Sequence, residues 1–247
     1  MAKTAFVTGG AGGIGQAICK RLADAGHKVA ACYIAAEKDS ALAWQKESKE
    51  QGYDYYLVEG DVSDFESCKE MAEKIEKDVG SVDILVNCAG ITKDTTFKKM
   101  KEEQWKSVID INLNSVFNVT KQFLDGMLER QYGRIICISS LNGQKGQFGQ
   151  SNYSASKSGM HGFAMSLAQE VASKGITVNS ISPGYIGTKM VMAIPEKVRN
   201  QIIAQIPVGR LGTPDEIGAV VVFLASDDAG FITGSNVAIN GGQHTQF

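Results

Sequence analysis

The chain has 247 residues, 43% of them hydrophobic and 21% charged, with a formal net charge of −2, which suits one large α/β domain of ordinary globular composition. So small a charge gives no electrostatic reason to expect nucleic acid or an anionic membrane as partner, and the longest apolar run, Ala219 to Ala225, is far short of the ~20 residues that span a bilayer. Five cysteines without a C-x-x-C pair and three scattered histidines read as reduced structural thiols in a cytoplasmic protein with no metal site.

No signal peptide is visible ahead of the first strand-like stretch, 4–8. There Ala5-Phe6-Val7 leads into Thr8-Gly9-Gly10-Ala11-Gly12-Gly13-Ile14-Gly15, which opens a helical pattern over 14–25. Glycine lets a backbone turn sharply and approach a ligand closely, and amides at a helix start attract a pyrophosphate. A glycine-rich turn at the first strand-to-helix junction is the context that dinucleotide binding demands. A strand over 28–33 follows, ending at Tyr33, and then a helix over 38–51 that begins at Lys38. A strand over 54–60 precedes Gly60-Asp61-Val62 and a helix over 64–78. The strand over 82–87 leads to Asn87-Cys88-Ala89-Gly90, and one long helix is expected over 102–130, carrying Asn112. The strand over 133–139 ends beside Ser140, and the helix over 153–174 carries Tyr153 and Lys157. After a strand over 176–182, all four prolines fall between Pro183 and Pro214, where they interrupt regular structure. We read 184–213 as a substrate-covering loop, because ligands of open α/β sheets bind beyond the carboxyl ends of the strands. A helix over 214–226 and a strand over 236–239 complete the chain. Continuously apolar runs such as Ile135-Ile136-Cys137-Ile138 suit strands covered on both faces. The alternation predicts a single doubly wound, Rossmann-like domain over 1–247 with a seven-stranded parallel sheet.

Residues four apart share a helix face, so Tyr153 and Lys157 reach the same small volume. A phenol titrates near ~10 in isolation, and a nearby ammonium lowers that value, which would tune the phenol for proton transfer at neutral pH. Ser140 stands thirteen residues upstream of Tyr153.

The spacing Gly9-x-x-x-Gly13-x-Gly15, together with Ser140, Tyr153 and Lys157, resembles the short-chain dehydrogenase/reductase family over essentially the whole chain. The resemblance implies that Gly9, Gly12, Gly13, Ile14 and Gly15 cradle the cofactor phosphates. It places Gly60, Asp61 and Val62 at the adenine, Asn87, Ala89 and Gly90 along the cofactor, and Pro183, Gly184, Ile186 and Thr188 at the nicotinamide. Cys88 departs from the asparagine usual at its position. Tyr153 would protonate a carbonyl oxygen, Ser140 would hold and polarise that carbonyl, and Lys157 would depress the Tyr153 pKa and bind the cofactor ribose. Asn112 would position a water linking Lys157 to solvent. Ser139 is chemically equivalent to Ser140, which is preferred on the family's spacing.

Cofactor choice turns on the end of the second strand, where an acidic residue would accept the ribose 2′-OH of NAD and repel a 2′-phosphate. Tyr33 is not acidic, so NADP(H) is expected. Lys38 stands as a phosphate contact or as a solvated helix-start charge flanked by Glu37 and Asp39. Within the family, 142–150 and Gly184-Tyr185 are similar to the acetoacetyl-CoA reductases of polyhydroxyalkanoate synthesis. That implies an acyl-CoA substrate and (R)-3-hydroxybutyryl-CoA as product, with Asp94, Ser140, Gln147, Phe148, Gln150, Tyr153, Gly184 and Tyr185 around the acyl group. The rivals are a 3-oxoacyl-[acyl-carrier-protein] reductase and, from another class, a non-catalytic NADP(H)-sensing protein. The resemblance also implies a homotetramer paired through the helices over 102–130 and 153–174. The stripe Phe163, Leu167, Val171 fits either that contact or the subunit's own sheet.

Overall fold

Seven strands, β1 (Thr4–Val7), β2 (Lys28–Tyr33), β3 (Tyr56–Glu59), β4 (Val82–Asn87), β5 (Gly133–Ile138), β6 (Ile176–Pro183) and β7 (Asn236–Ile239), form one sheet in the order β3-β2-β1-β4-β5-β6-β7. Every adjacent pair is parallel. The computed structural model describes residues 2–245. Every residue of β1, β5 and β6 is buried, as befits strands covered on both faces, and in β6 this includes the polar Thr177, Asn179, Ser180 and Ser182. The order reverses between β1 and β4, which creates a crevice at their carboxyl ends.

The helices α1 (Gly13–Asp24), α2 (Lys38–Glu50) and α10 (Pro214–Ala225) share one core with the sheet, in which Ile18, Leu22, Trp44, Ile217 and Val221 pack around Val7 and Val86. The helices α3 (Phe65–Asp78), α5 (Ser115–Arg130) and α7 (Ser151–Val171) cover the other face, packing Met71, Ile75, Phe123, Leu167 and Val171 around Phe6 and Ile135. Phe6 and Phe123 are fully buried with ring centroids 5.5 Å apart, and truncating such a ring costs about 3–5 kcal/mol. Local signals set the helix starts. The Asp64 carboxylate accepts from the Ser67 amide to cap α3, and Thr213 forms a capping box with Glu216 behind Pro214 to begin α10.

The expected helix over 102–130 is divided. It runs as α4 (Glu102–Ile109), widens to a π-type turn at Asp110–Asn114, and resumes as α5. Three short helices occupy stretches without a periodic pattern: α6 (Leu141–Lys145), α8 (Lys189–Met192) and α9 (Glu196–Ile203). The last two lie within 184–213, where an isolated bridge from Ile186 to Gly212 ties the segment back on itself.

Candidate active site

The glycine-rich turn lies in the crevice between β1 and β4. Gly9 has φ +62°, and a Cβ there would lie 3.0 Å from the Ala89 Cα. A Cβ on Gly13 would press on Thr188 at 3.3 Å, and one on Gly15 would collide with the Gly9 carbonyl. Gly12 caps α1 without a side chain to satisfy the first amides of the helix, leaving them for an anion. This cradle, which any Cβ would fill, fits a dinucleotide pyrophosphate. Thr8, not singled out from the sequence, locks it: its hydroxyl accepts from the amides of Cys88 at 2.9 Å and Ala89 at 3.1 Å. Its position directly before the glycines was the available signal.

At the adenosine end, the Gly60 amide donates to the Tyr33 carbonyl at 3.0 Å, and a Cβ on Gly60 would collide with Met71. The Asp61 carboxylate accepts from the amide and hydroxyl of Ser63 at 2.8 and 2.7 Å. The Val62 side chain belongs to the core. The Lys38 ammonium is exposed and lies 3.3 Å from the Glu59 carboxylate.

Three side chains expected along the cofactor point elsewhere. The Asn87 amide donates to the Thr120 hydroxyl at 3.2 Å inside the protein, and Ile186 is buried in the core with α10, as Val62 is in the core with α3. Contacts from these three positions would therefore come from backbone. Gly90 does stand beside catalytic groups, since a Cβ there would lie 3.2 Å from the Lys157 ammonium and 3.3 Å from the Asn112 carbonyl oxygen.

Ser140 caps α6, its hydroxyl accepting from the Asn142 amide at 3.1 Å, and it also hydrogen-bonds the Tyr153 hydroxyl. Ser139 faces away, donating to the Lys157 carbonyl at 2.8 Å and meeting His161 at 3.1 Å. The geometry thus separates two serines that chemistry alone leaves equivalent. The start of α7 is held by Asn152, fully buried, whose amide donates to the carbonyls of Gln104 at 3.1 Å and Lys93 at 3.3 Å. Asn112, in the π-type turn, is fully buried too. It accepts from the Ile91 amide at 2.8 Å and donates to the Ile91 carbonyl at 3.0 Å and the Ser156 hydroxyl at 3.1 Å.

The electrostatics correct one expectation. Burial raises the Tyr153 pKa, with Asp94 and Cys88 adding to it, and the lowering influence is the hydrogen bond with Ser140 rather than Lys157. The Lys157 ammonium donates to the Ile138 carbonyl at 2.7 Å and stands 5.7 Å from the centroid of the Tyr153 ring. Lys157 is buried, and burial lowers its own pKa to about 8. Spacing brought the two residues to one face, but burial decides both directions. Tyr153 is therefore a protonated phenol through the neutral range, an acid able to donate to an alkoxide forming beside it.

On the substrate side, Asp94 and Gln150 engage each other. The Gln150 amide donates to the Asp94 carboxylate at 2.7 Å and accepts from Asn142 at 2.8 Å. With the Thr95 amide on the Gly149 carbonyl at 2.9 Å, this latches 91–96 to 146–150. Beside the latch is a cleft of about 340 Å³ lined by Phe97, Gln147, Phe148, Ser151 and Ser154, with the Ser154 hydroxyl buried and unpartnered. Gly184 and Tyr185 line a second cavity of about 360 Å³ with Val208 and Asn240, so of the expected acyl-site residues Gln147 and Phe148 line one cavity, Gly184 and Tyr185 the other, and Asp94, Ser140, Gln150 and Tyr153 neither.

A protein-family profile described as Enoyl-(Acyl carrier protein) reductase matches residues 9–244. An acetoacetyl-CoA reductase of Allochromatium vinosum is 56% identical over 242 residues, which cover 98% of each chain. The chain belongs to the short-chain dehydrogenase/reductase family, and it is an oxidoreductase. Further short-chain dehydrogenase/reductase relatives include an acetoacetyl-CoA reductase of Cupriavidus necator, 53% identical over 98% of each chain. A 3-oxoacyl-[acyl-carrier-protein] reductase of Staphylococcus aureus is 42% identical over 99% of each chain. Among the described residues no helix is long and apolar enough to cross a membrane, and all five cysteines are free, four of them buried.

Proposed function

We propose that the protein reduces acetoacetyl-CoA to (R)-3-hydroxybutyryl-CoA with NADPH, as a cytoplasmic homotetramer serving polyhydroxybutyrate synthesis. The reaction type rests on the hydrogen-bonded Ser140–Tyr153 pair at the carboxyl end of β5, beside the buried Lys157. The substrate rests on likeness, since the acetoacetyl-CoA reductases stand at 53% and 56% identity and the carrier-protein reductase at 42%.

The amides of Gly12, Gly13, Ile14 and Gly15 would hold the pyrophosphate. Asp61 and Val62 would flank the adenine, with Asn87, Ala89 and Gly90 along the middle of the cofactor and Pro183, Gly184, Ile186 and Thr188 about the nicotinamide. When bound there, the reduced nicotinamide supplies the hydride. Tyr153 gives its phenolic proton to the substrate carbonyl oxygen, and Ser140 holds that oxygen by hydrogen bonding. Lys157 fixes the ribose through its ammonium, and Asn112 keeps the strand-end loop at Ile91 in place behind it. Gln147 and Phe148 contact the acyl chain from the cleft, Asp94 and Gln150 close its rim as a latch, and 184–213 covers the substrate with Gly184 and Tyr185 on the far side.

The deciding measurement compares kcat/KM for acetoacetyl-CoA and for acetoacetyl carrier protein. We expect the CoA thioester to be preferred at least tenfold, and a preference for the carrier thioester would overturn the substrate assignment.

A further inference from the structure

The acidic residue that the end of β2 lacks is supplied by β3. Tyr33 and Glu59, the last residues of the two strands, are lateral partners in the parallel register. One oxygen of the Glu59 carboxylate accepts from the Tyr33 hydroxyl at 3.4 Å and meets the Lys38 ammonium at 3.3 Å. Tyr33 is buried, whereas the Lys38 and Glu59 side chains are 57% and 41% exposed. Lys38 and Glu59 therefore present a charged pair to solvent at the carboxyl ends of neighbouring strands, with the buried Tyr33 bonded to the carboxylate. That is where an open α/β sheet takes the ribose of a dinucleotide.

A free ammonium here would attract a 2′-phosphate, and a carboxylate here would repel it and accept a 2′-hydroxyl. This chain holds both charges within contact distance, so an incoming phosphate meets a neutralised lysine with an anion beside it. Resting on the NADP(H) reading above, we propose that Glu59 sets the cofactor preference of this protein. By offsetting Lys38 it keeps the preference for the phosphorylated dinucleotide shallow, so that both NADP(H) and NAD(H) are accepted. The pair is exposed and screened by solvent and salt, so the effect is on the order of twofold to fivefold.

Equilibrium titration calorimetry of the full chain with NADP⁺ and with NAD⁺ tests this without reference to turnover. Glu59→Gln keeps the shape of an exposed side chain and removes its charge. It should tighten NADP⁺ roughly twofold to fivefold, more at low salt than at high, while leaving NAD⁺ unchanged or weaker. Lys38→Ala should weaken NADP⁺ alone. If Glu59→Gln weakens NADP⁺, the carboxylate is only a prop for Lys38 and the proposal is overturned, as it also is if neither affinity moves. The wild-type affinities test the NADP(H) reading separately. Tighter binding of NAD⁺ would overturn that reading, while the change on removing Glu59 would still decide the role of the carboxylate.

Discussion

Tyr153 and Lys157 share a face of α7, yet the structure gives them different partners and opposite shifts. The phenol is held by Ser140 and pushed up by burial, while the ammonium is held by the Ile138 carbonyl and pushed down to about 8. The ordinary lysine value is 10.5, so between about 8 and 10.5 the unfolded chain binds a proton that the folded chain does not. Stability attributable to this group therefore rises with pH across that window, and below pH 8 the cost of burying the ammonium is fully present. Activity runs the other way. The free enzyme loses the Lys157 charge above pH about 8, and with it the cation that fixes the ribose. The pH profile of kcat/KM in the reductive direction should thus be flat through neutrality and fall with one-proton slope above about 8. A profile level to pH 10 would contradict that role. The residue types of the site were legible from their spacing, but the shift directions were not, because spacing reports a shared face and carries no information on desolvation. Ser139 and Ser140 show the same limit, since only the Lys157 carbonyl and His161 beside Ser139 assign one to packing and leave the other to the site.

At the scale of elements, the alternation of apolar strands and amphipathic helices was enough to place all seven strands and the principal helices. The stretch over 102–130 misled because its helical pattern continues across Asn112. The π-type turn there is fixed by bonds from Asn112 to Ile91 and Ser156, distant partners that local sequence does not display. Glu59 was hidden for a similar reason, since only strand register sets it beside Tyr33. The turn into α1, in contrast, was readable because glycine is demanded locally. Gly15 sits inside α1, where a Cβ would collide with the Gly9 carbonyl and lie 2.8 Å from the Gly10 Cα. Gly15→Ala should force the helix off the turn, weakening dinucleotide binding tenfold or more and lowering stability by about 1–3 kcal/mol. Calorimetric titration and thermal melting would measure both. Gly162, inside α7, is the control, because a Cβ there meets nothing within 4 Å. Gly162→Ala should leave binding unchanged and raise stability by about 0.5–1 kcal/mol. Equal effects of the two variants would mean that the cradle does not depend on the close approach at Gly15.

For the whole molecule, the apolar stripe of α7 now has an owner. Leu167 and Val171 are buried in the core beneath the sheet and Phe163 packs against it, so the stripe stabilises the subunit itself. An outward-facing aromatic pair lies elsewhere on the same side. Phe117 of α5 is 56% exposed and stacks on the exposed Phe65 of α3 with centroids 6.1 Å apart. An exposed aromatic pair on a helix face is the kind of apolar patch that marks association. Burying a phenylalanine side chain is worth about 1.5–3 kcal/mol, and in a two-fold contact each substitution counts twice because both copies carry it. If α5 is the pairing helix of the proposed tetramer, Phe117→Asp places two unpaired charges at one interface and removes two buried rings. Sedimentation velocity at micromolar concentration should then show the wild type as a tetramer and the variant as smaller species. The far-ultraviolet circular dichroism should be unchanged, since Phe117 does not support the subunit core. A variant of undiminished mass would place the contact on another face, and a monomeric wild type would overturn the tetramer itself.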